Sequence, residues 1–293
     1  MITLRSFGTH NGTFHADEVT ACSLLLLYDL IDKDKIHRTR DQSTLDRCEY
    51  VCDVGGIYDP SKKRFDHHQI EYKGPLSSAG MILKYLQQKE YIDEDLYEYL
   101  NRSLVLGVDA HDNGIAHLEY GFCSFSQVVS NFLPIDYQVS TEERDRTFMM
   151  AVEFVLGHLK RLTDRFNYAC SCKNKVQDSM ARDKYCLWFN ESLPWLENFF
   201  ELGGELHSAF FVIMPSDGHW KLRAIPPSLN QRMKVRLPMP KEWAGLQEKE
   251  LQKVSKIPGA VFCHKGRFIS IWATKEDAEK ALDYILEKNG VKR

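Results

Sequence analysis

Apolar positions along this chain follow two rhythms. Residues 2–7 read as a first strand. Over residues 16–30 the period lengthens, and Leu24, Leu25, Leu27 and Tyr28 supply the wide apolar face of a helix. Residues 35–40 predict a second strand and 44–47 a short helix. Residues 50–53 predict a short strand stopped by Gly55-Gly56, and 64–67 another. Helices are predicted at 77–88 and 96–109. Strands alternating with helices point to a parallel α/β sheet. Residues 141–165 form a long helical pattern with Phe148, Val152, Val155 and Leu159 on one stripe. Ser140 and Glu143 stand at its start as a capping box would. The polar residues 170–183 fit a second helix. Strand patterns return at 185–189, 209–214, 220–225, 260–264 and 268–273, and residues 274–288 close the chain with a helix. The predicted fold is α/β with two domains: a parallel-sheet domain over 1–140, a connecting helical segment over 141–184, and a smaller α/β domain over 185–293.

In a parallel sheet, ligands gather beyond the carboxyl ends of the strands. His10, Asp53 and the trio Asp66-His67-His68 all end or follow predicted strands. The stretch HNGTFHADE adds His15 and Asp17, and VDAHDNG adds Asp109, His111 and Asp112. A pure Mg²⁺ or Ca²⁺ cage wants oxygens, whereas imidazoles mixed with carboxylates suit a divalent transition metal. Mn²⁺ fits best, with Mg²⁺, Co²⁺ or Zn²⁺ as substitutes. One carboxylate shared by two cations would hold them about 3.5–4 Å apart, the separation used for in-line phosphoryl displacement. Each residue alone has a plainer explanation. Asp53 before Gly-Gly suits a turn, and Asp109 could cap the loop in GVDAHDNG. Ser77 and Ser78 fit a helix N-terminus better than a nucleophile. The coincidence of such residues at the ends of several elements favours a metal site.

Composition narrows the picture. The 293 residues are 43% hydrophobic and 27% charged, as expected of a folded globular protein. A net charge of −3 argues against a broad basic surface for duplex nucleic acid and leaves room for a local basic cleft. The first residues, MITLRSFGTH, lack the apolar core of a secretory signal. The apolar run 19–31 is short and broken by Ser23 and Asp29, so no membrane anchor and a cytoplasmic location are expected. Eight cysteines without a CxxC pair read as free thiols rather than a zinc site.

The motifs GTHNGTFHADE, RTRD (38–41), DVGGIYDP, RFDHHQ, SSAG (77–80) and VDAHDNG resemble, in order, those of the DHH phosphoesterase superfamily. More closely they resemble the melanocyte-proliferating-gene-type family of metal-dependent exonucleases. WKLRAIPPSLNQRMKVRLPMPKEWAGL and VSKIPGAVFCHKGRFI are similar to that family's second domain. The resemblance implies a DHH-type catalytic domain with two divalent cations, and a C-terminal substrate domain. By that similarity His10 and His15 would hold one metal. Asp17, His67 and Asp109 would hold the other, and Asp53 would bridge. His68 would point at the substrate phosphate and Asp66 would orient the cluster. Arg223, Arg232, Arg236 and Arg267 would contact substrate. Two departures stand out: His10-x4-His15-x-Asp17 replaces the usual H-x3-D-x-D, and Ser270-Ile271 stands where the family has Gly-Gly. The implied function is a metal-dependent phosphodiesterase, a 3′→5′ exonuclease on single-stranded RNA or short oligonucleotides. A phosphatase or phosphodiesterase acting on pyrophosphate, a nucleoside phosphate or a dinucleotide is the alternative, followed by a non-catalytic metal- or nucleotide-binding regulator. Association into a homo-oligomer stays open.

Overall fold

Four strands running the same way frame the first half of the chain. The computed structural model describes residues 1–117, 119–136 and 138–292. It divides into two units, Met1–Phe166 and Asn167–Arg293.

The first unit begins with β1 (Thr3–Thr9), α1 (Ala16–Leu27), β2 (Ile36–Arg38), α2 (Gln42–Leu45) and β3 (Cys48–Cys52). It continues through β4 (Tyr58–Asp59), β5 (Arg64–Phe65), α3 (Ser78–Gln88) and α4 (Glu94–Leu100). A π-helical turn (Asn101–Val105) joins α4 to α5 (Leu106–Asp112), followed by α6 (Phe125–Ser130) and α7 (Thr141–Ser171). The five-stranded sheet has the order β2-β1-β3-β5-β4. β1 is parallel to β2 and β3, and β3 is parallel to β5. The two-residue β4 turns back antiparallel on β5, an edge strand too short to leave a sequence pattern.

α1 is buried from Ala16 to Leu25, so its apolar residues are not confined to one stripe. Val19, Leu24 and Leu25 are fully buried, each contributing about 1.5–3 kcal/mol relative to exposure. The Ser23 hydroxyl lies 2.7 Å from Val19 O and 3.1 Å from Val152 O, tying α1 to α7. The expected stripe Phe148, Val152, Val155 and Leu159 of α7 is fully buried. The single helix expected at 96–109 differs from what forms. It starts earlier, is interrupted by the π turn and runs on to Asp112. A π turn carries an extra residue and so rotates every side chain beyond it around the helix axis.

The second unit takes in the end of α7, inside which the division falls. It adds α8 (Lys173–Arg182), β6 (Cys186–Trp188), α9 (Leu196–Glu201), β7 (Phe211–Ser216) and β8 (His219–Ala224). α10 (Glu248–Ser255), β9 (Ala260–Cys263), β10 (Ile269–Trp272) and α11 (Lys275–Lys288) complete it. Its sheet has the order β6-β7-β8-β10-β9. Only β6 and β7 are parallel; the other neighbours are antiparallel. Strand alternation splits the apolar residues between two layers. Phe211, Ile213, Leu222 and Trp272 pack with Leu282 and Ile285 of α11. Leu187, Val212 and Met214 pack with Val176 of α8 and Phe199 of α9. The molecule is thus mixed α/β, with parallel pairing concentrated in the first unit. No helix among the described residues is long and apolar enough to cross a membrane.

Candidate metal centre

Strand order builds this site. β1, β3 and β5 are neighbours and end on the same side of the sheet. The residues that follow them, His10, Asp53 and Asp66 to His68, therefore emerge side by side. Adjacent strands lie about 4.8 Å apart, close enough for their side chains to meet. α1 starts after the loop from His10, so Asp17 and Glu18 sit in its first turn, where carboxylates suit the helix dipole.

Asp53 is the hub. Its Oδ2 lies 3.1 Å from His10 Nε2, and its Oδ1 lies 3.4 Å from both His67 Nε2 and His68 Nδ1. Its φ of +59° falls in the left-handed region, which aspartate tolerates better than most side chains. His10 Nε2 is also 3.1 Å from Glu18 Oε1. His10 Nδ1 faces Asn11 O at 3.0 Å. A carbonyl only accepts, so Nδ1 carries a hydrogen, and Nε2, aimed at the two carboxylates, is the atom that would bind a cation in the neutral ring. His67 Nε2 is 3.0 Å from Asp112 Oδ2 and 4.0 Å from Asp17 Oδ2. Among the described residues three ligand groups result: His10, His15, Glu18 and Asp53; Asp53, His67 and His68; and His15, Asp17 and Asp112.

The electrostatics are strained without cations. Burial alone would lower the pKa of His10, yet Asp53 and Glu18 outweigh it and push it up to about 10. The same contest drives His67 to about 10, with burial opposed by Asp112 and Asp53. Burial works to raise Asp53, but His10 and His67 hold it down to about 2. Asp17 has no such relief. Burial, then Glu18, Asp53 and Asp112, raise it well above the usual carboxylate range. It is fully buried, and neither of its oxygens has a hydrogen-bond partner among the described residues. A buried, unpartnered carboxylate beside other carboxylates and imidazoles is what a divalent-cation site requires. The donor set therefore fits the implied metals.

Asp66 does a different task. Its Oδ2 accepts from Gly56 N–H at 2.6 Å, and its Oδ1 accepts from His68 N–H at 3.1 Å and faces His68 Nδ1 at 2.8 Å. The His68 ring is thereby oriented while remaining 63% exposed.

Asp109 departs from its expected place. It joins none of the three groups. Its Oδ1 instead accepts from Ser77 N–H at 3.0 Å, Ser77 Oγ at 2.6 Å and Gly80 N–H at 3.1 Å, satisfying the first turn of α3. Gly80 permits this approach, since a Cβ there would meet Asp109 Oδ2 at 2.3 Å. Asp112, one turn further along α5, faces His67. Glu18 was missed as well, although the adjacent HADE offered a signal: Glu18 takes the third helical position, where its oxygens accept from His15 N–H at 2.9 and 3.0 Å. Arg38 supports the same loop. Its side chain is 2% exposed; it donates to Gly12 O at 2.7 Å and Asp145 Oδ1 at 2.9 Å, and lies 4.7 Å from the Phe148 ring centroid.

The four arginines expected to meet substrate lie in the second unit and differ among themselves. Arg236 is committed to the fold: it donates to Pro226 O, His207 O, Ala209 O and Gly204 O at 2.6–3.1 Å. Arg232 pairs with Glu197 at 2.8 Å, and Arg267 reaches Met239 O at 3.3 Å. Arg223 makes no hydrogen bond through its guanidinium among the described residues and lies 5.9 Å from the Trp195 ring centroid. Burial first, then Arg232, lowers its pKa.

Fold and cluster together define a class: a mixed α/β protein with a histidine–carboxylate metal-ligand site at the carboxyl edge of a mainly parallel sheet. A family model, MYG1_exonuc, described as Uncharacterised protein family (UPF0160), matches residues 6–283, and the chain belongs to that family. It is 51% identical over 287 residues to the MYG1 protein of Chlamydia pneumoniae, covering 98% of each chain. It is 33% identical over 330 residues to the MYG1 protein C694.04c of Schizosaccharomyces pombe, covering 97% of this chain and 99% of that one. It is 31% identical over 313 residues to the MYG1 exonuclease of Homo sapiens, covering 92% and 83%. The structure of RecJ in complex with Mn²⁺ from Thermus thermophilus aligns with 96% of this chain and 52% of its own, at 12% identity and a TM-score of 0.29, too low to bear on the fold.

Proposed function

We propose that the chain is a metal-dependent phosphodiesterase of the DHH type, acting as a 3′→5′ exonuclease on single-stranded RNA or short oligonucleotides. The observation that carries this reading is the junction at Asp53. One carboxylate faces histidines of two ligand groups, with the unpartnered Asp17 buried beside them. Relatives named exonuclease, including the Homo sapiens protein, support the choice of a nuclease. The cleavage direction and the single-stranded substrate are proposed in line with the motif resemblance.

On this reading His10, His15 and Asp53, with Glu18 alongside, would hold one cation, and Asp17, Asp53, His67 and Asp112 a second. Mn²⁺ suits this mixture best. Divalent cations bound here would supply Lewis acidity and a water acidic enough to yield hydroxide near neutral pH. The remaining chemistry belongs to the chain. Asp66 accepts from Nδ1–H of His68 and so fixes the ring; only the imidazolium form, with a second proton on Nε2, would donate to a phosphate oxygen and to the charge that grows on it. Glu18 and Arg38 hold the loop between His10 and His15 in one conformation, so the imidazoles need no reorganisation when substrate arrives. Of the four arginines named above, Arg223 is the one whose guanidinium makes no hydrogen bond among the described residues, and it is the one proposed to bind a substrate phosphate.

The test is to incubate the purified protein and Mn²⁺ with 5′-labelled RNA, single-stranded DNA, dinucleotides and pyrophosphate. Stepwise shortening of RNA from its 3′ end is expected. Release of phosphate from pyrophosphate alone, with every oligonucleotide intact, would defeat the proposal.

A further inference from the structure

The ligand cluster forms only one wall of a larger hollow in the first unit. A cavity of about 530 Å³ extends from Asp17, His67 and Asp112 to a wall of another character. Leu133, with the buried Phe14 and Val108 behind it, makes that wall apolar, while Ser126, Ser130 and Asn113 add neutral polar groups and His111 an imidazole. No lysine or arginine lines the cavity among the described residues. Ser126, on α6, is 5% exposed, and its hydroxyl makes no hydrogen bond among the described residues. Asn113 spends its amide N–H groups on Pro75 O at 3.0 Å and Asp109 O at 2.9 Å, which leaves Oδ1 to accept.

These features select by charge. A phosphate at the ligand cluster would be met by bound cations. A second phosphate placed further into the hollow would give up water and meet no lysine or arginine, with His111 the imidazole on that side, at a cost of several kcal/mol. A sugar and base bring the opposite demands. They offer hydroxyls and ring N–H groups to Ser126 and Asn113, and a flat apolar face to Leu133. The volume lies within the range of about 300–1,000 Å³ common for small-molecule sites.

We propose that this hollow seats the terminal nucleoside of the substrate, the sugar and base attached to the reacting phosphate, and so favours nucleoside monophosphate units over pyrophosphate. The inference rests on the phosphodiesterase reading and gives it a specificity: one nucleotide is held by the first unit itself, with α6 as the discriminating wall.

The test is calorimetric titration of the full-length Mn²⁺-loaded protein with AMP, ribose 5-phosphate, inorganic phosphate and pyrophosphate. AMP should bind at least about tenfold more tightly than either phosphate or pyrophosphate, with ribose 5-phosphate between. Leu133→Trp, which fills the hollow, should weaken AMP by about tenfold while Mn²⁺ uptake and phosphate affinity hold. Ser126→Ala, a milder change, should weaken AMP about threefold. Pyrophosphate binding as tightly as AMP would overturn the inference, as would Leu133→Trp weakening AMP and phosphate in equal proportion. Hydrolysis of bis-p-nitrophenyl phosphate by the unaltered protein separates the two levels. If that ester is cleaved and AMP shows no preference, the nucleoside seat fails and the phosphodiesterase reading stands. If Mn²⁺ is taken up and the ester is untouched, the phosphodiesterase reading fails and this inference falls with it.

Discussion

The two sheets of this chain have five strands each, yet they handle charge in opposite ways. In the first, β1, β3 and β5 point the same way, so the residues after them collect at one edge. His10, Asp53 and His67 meet there although more than forty positions separate the first from the second in sequence. In the second, β7, β8, β10 and β9 alternate in direction, so no common carboxyl edge exists along them. Its arginines are dispersed: Arg236 closes onto backbone carbonyls, Arg232 pairs with Glu197, and Arg223 lies along a tryptophan ring. Strand direction thus decides whether charged residues converge on a point or spread over a surface.

The comparison breaks if the convergent site is not what the chemistry depends on. Asp53→Ala should give the largest effect, a loss of at least about a hundredfold in phosphodiester hydrolysis under saturating Mn²⁺. The reason is that one carboxylate serves two ligand groups. Steady-state rates on a labelled oligonucleotide check this, and near-normal activity would remove Asp53 from the centre of the account.

A second contrast lies within one helix. Asp112→Ala should weaken Mn²⁺ binding by about tenfold to a hundredfold, the range seen when groups that ligate or orient a metal are lost. Asp109→Ala should leave Mn²⁺ affinity nearly unchanged and cost about 1–3 kcal/mol of stability, because Ser77 and Gly80 lose their acceptor. Calorimetric titration and denaturant unfolding separate the two outcomes.

Asp17→Asn sharpens the electrostatic side. Without metal, Asp17 sits against Glu18, Asp53 and Asp112, so neutralising it should raise the melting temperature of the metal-free protein. The same change should diminish the stabilisation by Mn²⁺, which at a hundred times its dissociation constant is worth about 2.7 kcal/mol to the unaltered protein. Thermal melts with and without Mn²⁺ read both effects.

The smallest effects belong to the dispersed side. Arg236→Met should lower stability by about 1–3 kcal/mol and leave Mn²⁺ affinity untouched. Arg223→Ala should raise the Michaelis constant for oligonucleotides severalfold and weaken its salt dependence, with the fold intact. Equal loss of oligonucleotide and small-ester hydrolysis in Arg223→Ala would place that residue in the chemical step instead.

The difference between the two sheets also explains what the sequence revealed. Strand ends are marked by a change from apolar to polar residues, so His10, Asp53 and Asp66 to His68 stood out as neighbours in a parallel sheet. Asp112 stood among the candidates of VDAHDNG, but the choice between it and Asp109 as ligand depends on helix phase. The π turn at Asn101–Val105 sets that phase, and no apolar period announces it. Glu18 was hidden by its second task as a helix cap. The roles of the arginines were illegible for another reason: an arginine that binds backbone carbonyls and one that is free to meet a phosphate are the same letter, and only tertiary packing separates them. Short elements such as β4, α6 and α9 carry too few residues to establish a period.

Anomalous diffraction at the manganese edge, from crystals grown with Mn²⁺, tests the central claim most directly. Two peaks are predicted, both touching Asp53, one also against His10 and His15 and the other against Asp17, His67 and Asp112. Absence of density at these residues, or a single ion held elsewhere by cysteine sulfur, would contradict the account.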